Sequence, residues 1–467
     1  MFRAKIMLIN QSAIKTHNQK NKNSIFAAQQ NANCQNYYNM KKTECDGIIT
    51  LVKREVIPAI GCTEPIAVSL CTAKAQELLM EQPEAISVYL SANILKNAMG
   101  VGIPGAEGMI GLPIAVALGA LIGKSEYLLE VLKDSDHNSV EQGRQMIANK
   151  VIDIKLKEGV TDALYIEVVC RSKDRSATAI IAGNHTNFIY LESNGRVLLT
   201  KDITSEGDKQ EDEPELTLQK VYDFATKAPL EDIRFILEAA NLNKAAAEQS
   251  LKNSFGHALG RTLNDSSQKK IIGDSLLTSI MSYTSAACDA RMAGAMIPVM
   301  SNSGSGNQGI AATLPVVLFA EDKKASEEEL IRALMMSHLT VIYIKQSLGR
   351  LSALCGCVVA ATGSSCGIVL LMGGEYQQAV FAVKNMIANL TGMICDGAKP
   401  SCSLKIASGV STAVLSAMLA MEQKYVTSVE GIIDNDVDKS IRNLTLIGTE
   451  GMKETDKVIL NIMTHKS

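Results

Sequence analysis

The sequence predicts an α+β chain of two lobes, a mixed-sheet lobe at about 86–200 and a mostly helical lobe at 216–467. Three observations predict it. Segments rich in β-branched and aromatic residues are grouped between 86 and 200. From 216 onward, apolar residues recur at helical spacing almost to the C-terminus. Between the two groups, the acidic run 205–215 with its Pro214 reads as a linker.

The elements follow in order. Residues 1–40 contain no Asp or Glu and are crowded with Asn, Gln and Lys, so they read as a disordered or mis-called extension ahead of Met40. Within 41–85, Ile48, Leu51, Val52 and Val56 share one helical face and Pro58 ends the run. Thr63-Glu64-Pro65 reads as the start of a second helix, with a capping hydroxyl, an acid in the first turn and Pro just inside. That helix should run to about Met80, and this whole helical segment is expected to pack with the C-terminal lobe. In 86–204, strands are expected at 86–90, 151–156, 163–170, 177–182 and 188–191, with helices at about 111–122 and 139–149. Asn194-Gly195 marks a hairpin. Past the linker, Gly-rich stretches at 301–309, 363–367 and 397–400 are expected to break the helices.

Composition narrows the function classes. A chain of 467 residues, 46% hydrophobic and 20% charged, has the balance of a globular protein larger than one core. A net charge of -3 offers no basic excess for nucleic acid or anionic lipid, so neither partner is expected. Residues 351–374 carry no charge and are long enough to cross a bilayer, but Ser, Thr and Gly interrupt the run. Buried core helices are expected there, with no membrane partner. Eleven cysteines are too few for a disulfide scaffold, and an odd number cannot pair completely. Thiols that are reduced or metal-bound in a cytoplasmic protein are expected.

Five of the eleven cysteines, Cys355, Cys357, Cys366, Cys395 and Cys402, fall within one short stretch. Cys395 to Cys402 reads as a helix end, a tight turn and a new helix start, which puts a thiol on either side of one turn. No paired C-x-x-C set is present. Cys62 directly precedes a helix start, where the dipole and free N–H groups should favour its thiolate. In Ser301 to Gly309, hydroxyls and amides on a glycine backbone make a nest for a carboxylate or phosphate, without the Gly-Lys-Ser/Thr ending of a P-loop. Ser303, Ser305 and Asn307 are the candidate substrate residues of that loop. Among the six histidines none has the spacing of a helical zinc site, and His185, between two expected strands, is the candidate.

At these residues the sequence resembles the L-cysteine desulfidases, a group allied to the iron–sulfur L-serine dehydratases. Gly61-Cys62-Thr63-Glu64-Pro65, Asn184-His185-Thr186-Asn187, Ser301 to Ile310, Leu351 to Cys355 and Met393 to Cys402 carry the likeness, in the family's order. The resemblance implies a [4Fe–4S] cluster on Cys355, Cys395 and Cys402, with Cys62 as catalytic base. It implies β-elimination of L-cysteine to pyruvate, ammonia and sulfide by an enzyme of small-molecule substrates; a homo-oligomer is a further expectation. Cys357 and Cys366 lie outside the family pattern, and Cys357 competes with its neighbour Cys355 for the first ligand position. Two alternatives stand: L-serine dehydration by the same machinery, or a non-catalytic protein holding zinc or a closed cluster.

Overall fold

The computed structural model describes residues 40–160, 162, 164–202, 213–349 and 352–465. The extension before Met40 and most of the expected linker lie outside the described residues. The described chain opens with the helix Lys42–Glu55 and a three-residue strand, β1 (Pro58–Ile60). The next helix, Thr63–Leu79, has Cys62 at its N-cap, so Thr63 is the first helical residue rather than the cap expected of its hydroxyl.

Six strands follow: β2 (Ala85–Leu90), β3 (Ile152–Leu156), β4 (Tyr165–Arg171), β5 (Ser176–Ala182), β6 (Phe188–Ser193) and β7 (Arg196–Thr200). They lie in the order β3-β2-β4-β5-β6-β7, with β2 and β3 parallel and the other pairs antiparallel. The expected mixed sheet is therefore present. Asn194 and Gly195 take φ of 52° and 79°, the paired positive values that let a two-residue loop follow the strand twist. Side chains alternate as a half-buried sheet requires, with Ile166, Val168 and Cys170 of β4 facing inward beside Ala177, Ala179 and Ile181 of β5. Thr63–Leu79 and Leu112–Ile122 cover that face and share its core. This corrects one expectation, because the N-terminal segment divides: Lys42–Glu55, β1 and Cys62 join the helical lobe, and Thr63–Leu79 packs on the sheet. Thr63–Leu79 carries apolar residues on nearly every side, and the sheet needs a cover.

The helical lobe gathers Leu276–Met292, Gly306–Lys323, Glu327–Leu348, Gly356–Leu371, Tyr376–Leu390 and Cys402–Met421 around a second core. Glu327–Leu348 starts at a reciprocal cap between Ser326 and Glu329. The expected break at 363–367 is absent, since those residues lie inside Gly356–Leu371. A Cβ at Gly363 would stand 2.4 Å from the Ser337 carbonyl oxygen, and one at Gly367 would stand 2.7 Å from that of Ala333. The two glycines mark close helix packing and not a turn. The chargeless 351–374 stretch thus becomes a core helix. Among the described residues, Cys402–Met421 alone is long and apolar enough to cross a membrane.

A short ribbon ties the N-terminal segment to the helical lobe. Strand β8 (Pro298–Met300) pairs antiparallel with β1, joining Pro58 to Met300 and Ile60 to Pro298. The pairing continues past the strand ends: Ser301 N and Oγ both donate to Ile57 O, at 2.8 and 2.7 Å, and Ser303 N donates to Glu55 O at 3.0 Å. Helix Gly306–Lys323 runs directly under this ribbon, where a Cβ at Gly309 would lie 1.9 Å from Met300 O. Gly309→Ala must therefore push the helix off β8, and it should cost about 3 kcal/mol of stability. Gly392→Ala, where a Cβ meets nothing within 4 Å, should change stability by less than about 0.5 kcal/mol. Denaturant midpoints of the two variants against the parent protein check the contrast.

Candidate functional site

Backbone pairing brings two of the cysteines together. Cys355 N donates to Met393 O at 2.9 Å and Cys395 N to Ala353 O at 2.7 Å, around a bridge between Leu354 and Ile394. The chain then turns through Gly397, and Cys402 opens the helix Cys402–Met421 with its N–H on Lys399 O at 2.9 Å. The three thiols lie within electrostatic reach of one another. Burial, and then the neighbouring Cys395, push Cys355 up to about 12, and burial also raises Cys402. Two lysines flank the set. Lys405 Nζ donates to Ile394 O at 3.0 Å and pairs with Asp396, while Lys399 Nζ is buried without a hydrogen-bond partner.

Cys62 enters from the β1 side. It is 1% exposed and faces both Cys402 and Arg291. The helix start was expected to favour its thiolate, but burial wins. Despite the nearby guanidinium, the thiol is pushed up to about 12. Arg291, at the end of Leu276–Met292, is itself 5% exposed. Its Nη1 donates to Asn307 Oδ1 at 3.1 Å, its Nε has no partner, and among the described residues no carboxylate pairs with it.

The 301–309 loop is a buried polar structure and not a spacer. Ser303 Oγ donates to Asn302 Oδ1 at 2.8 Å, and Ser305 caps Gly306–Lys323 by accepting from Gln308 N at 3.4 Å. Asn307 holds Arg291. These three expected substrate residues therefore shape the loop and orient a cation beside it. Asn302 Nδ2 lies 3.0 Å from His338 Nδ1, and His338 Nε2 lies 3.0 Å from Thr313 Oγ1. An amide nitrogen can only donate, so Nδ1 accepts and the ring is neutral with its proton on Nε2. Burial agrees, holding His338 down at about 3. His185 sits half-buried in the β5–β6 turn, on the sheet lobe rather than on the elements that carry the thiols.

The thiols and lysines supply the donors and counter-charge that a cluster would need. Among the described residues, no three His, Cys, Asp or Glu side chains approach closely enough to ligate one metal ion. A cubane takes each thiolate on a different iron, so its ligands stand further apart than ligands of one ion. Cys355, Cys395 and Cys402, within electrostatic reach of one another and with lysines to balance thiolate charge, would suit that demand. Cys357 Sγ donates to Lys405 O at 3.2 Å and lies within electrostatic reach of Cys355 and Cys402. Cys366 is fully buried inside Gly356–Leu371.

Comparison with known proteins now decides the family. The family model described as serine dehydratase alpha chain matches residues 126–461, more than half of the chain. The chain belongs to the serine dehydratase alpha chain family. Similar full-length relatives include a UPF0597 protein of Bacteroides fragilis, 70% identical over 91% of this chain and 100% of its own length. Another from Bacteroides thetaiotaomicron is 68% identical over 91% of this chain and 99% of its own. A more distant one, from Oleidesulfovibrio alaskensis, is 47% identical over 91% of this chain and 100% of its own.

Sequence reasoning missed Arg291, Gln308, His338 and the two lysines. The available signal was charged or amide side chains set within otherwise apolar helical runs. His338 yields a pH test. Below about 6.5 the unfolded imidazole takes a proton, and the native ring resists until about 3. Across that window the unfolded state binds more protons, so stability falls as pH falls, by about 1.4 kcal/mol per unit. His338→Gln should remove this slope. Denaturant midpoints of parent and variant between pH 7 and pH 4 (about the accessible range) should converge as pH drops.

Proposed function

We propose that the protein is a [4Fe–4S] lyase that eliminates the β-substituent of L-cysteine, releasing sulfide. The observation that carries this reading is the meeting of Cys355, Cys395 and Cys402 with Cys62 and Arg291, drawn from four distant parts of the chain. Three thiolates leave one iron of a cubane open, and the bound cluster would supply a Lewis acid for the leaving group.

The chain's own residues do the rest. Cys62, in its dry position, acts as the base for the Cα proton, and its pKa must fall towards working pH when the site is loaded. The 301–309 loop and the end of Gly306–Lys323 present positive dipole to the substrate carboxylate. Burial excludes water until elimination is complete. The aminoacrylate product then hydrolyses to pyruvate and ammonia. L-serine, expelling hydroxide, is the second reading, and the description of the matched family model favours it. All ten described cysteines are free, which suits a reducing cytoplasm.

Anaerobically prepared protein should be brown, contain iron and sulfide, and form pyruvate from L-cysteine faster than from L-serine. Cys355→Ser, Cys395→Ser and Cys402→Ser should each lose iron. Cys62→Ala should keep it and lose about 100-fold or more in kcat. A zinc-loaded, colourless protein would sink the cluster, and faster turnover of L-serine would move the assignment to the second reading.

A further inference from the structure

Among the described residues, four buried polar side-chain atoms lack a hydrogen-bond partner: Asp289 Oδ1, Arg291 Nε, Gln308 Oε1 and Lys399 Nζ. Buried polar groups in native proteins are almost always satisfied, so each such atom asks what completes it. Two of the four lie on the 301–309 loop and its partner. Arg291 is pressed against the loop backbone, where a Cβ at Gly306 would stand 2.3 Å from its Nε. Gln308, 5% exposed, lies in the first turn of Gly306–Lys323. Its amide faces Gly356, the residue after Cys355, where a Cβ would meet the amide carbon at 3.0 Å.

The two atoms are opposite in kind. One is a cationic donor beside Cys62, the other an amide acceptor beside Cys355. A buried guanidinium with no carboxylate partner is costly unless an anion joins it, and an orphaned amide oxygen likewise lacks a donor. A free α-amino acid at neutral pH carries one carboxylate and one ammonium on the same carbon. We infer that Arg291 and Gln308 are the recognition residues for that zwitterion, the guanidinium taking the carboxylate and the amide oxygen the ammonium. Asn307 then acts as a positioning residue, holding the guanidinium through Nη1 and leaving Nε for the ligand. A substrate so held has its Cα between Cys62 and the Cys355 side of the site. This inference rests on the proposed amino-acid chemistry and names which groups select for it.

The test uses ligands that cannot react. L-alanine keeps both charged groups without a leaving group, propionate keeps only the carboxylate, and ethylamine only the ammonium. Calorimetric titration of the anaerobic full-length protein should show L-alanine binding more tightly than either fragment. Arg291→Gln should weaken L-alanine and propionate by about 10- to 100-fold and leave ethylamine unchanged. Gln308→Leu should weaken L-alanine and ethylamine and spare propionate. No saturable binding of L-alanine to the parent protein, or unchanged binding in both variants, would overturn the inference. So would an Arg291→Gln protein whose pH–rate profile shifts while its L-alanine affinity holds, because Arg291 would then act only on Cys62. If Arg291→Gln does not fold by circular dichroism, Gln308→Leu, which removes no charge, decides alone. If L-alanine binding follows the variants but neither L-cysteine nor L-serine turns over, the proposed reaction fails and the recognition site stands.

Discussion

The β1–β8 ribbon is the constraint on which the site depends. It has only three residue pairs, yet it fixes Cys62, near the start of the described chain, against a loop some 240 residues later. Its backbone bonds run on through Ile57 and Glu55 into Ser301 and Ser303, so the loop inherits its register from the ribbon. Helix Gly306–Lys323 then closes underneath, where only a hydrogen at Gly309 fits below Met300 O. Displacing any one of these layers separates Cys62 from Arg291 without touching either.

Most buried polar groups close to that ribbon are satisfied, and the exceptions lie beside cysteines. At the ribbon itself Asn243 reaches both Met300 and Thr313, and His338 joins Asn302 to the same threonine. The unpartnered atoms, by contrast, sit on or against segments that bear cysteines. Asp289 follows Cys288, Lys399 precedes Cys402, and Gln308 backs onto the residue after Cys355. A native interior tolerates such atoms where a ligand completes them. Their concentration in one region is a stronger sign of function than any single residue there.

Much of this was legible in the sequence, for reasons that particular residues make plain. Strands β4 and β5 alternate cleanly, and Asn194-Gly195 permits little but a tight hairpin, so the sheet lobe follows from local rules. The four site cysteines were marked by family motif and not by spacing. The glycines at 363 and 367 misled because glycine signals both turns and close packing, and only the neighbouring Ser337 and Ala333 carbonyls distinguish the two. The β1–β8 ribbon was invisible because three-residue strands containing proline carry no periodic signal. Arg291 escaped for a related reason. Its importance lies in having no carboxylate partner, and that is a property of three-dimensional surroundings.

The raised thiol pKa values bear on how the site is filled. Cys355, Cys402 and Cys62 are all held in the neutral form by burial, and thiolates in such a place would repel one another. A helix N-terminus cannot offset that cost alone, as Cys62 shows. Metal ligation needs thiolates, so a bound cluster must displace protons and bring in positive charge to hold the deprotonated sulfurs. Lys399 and Lys405 meet part of that demand from the protein side, with Asp396 holding Lys405 in place. Cys62 differs from the other two in facing a guanidinium rather than lysines. The same burial that would hold the proposed ligand thiols neutral until metal arrives also keeps Cys62 neutral, against the pull of its guanidinium. In the proposed reading, one physical effect, desolvation, acts on ligand and base alike, and the neighbouring cation distinguishes them.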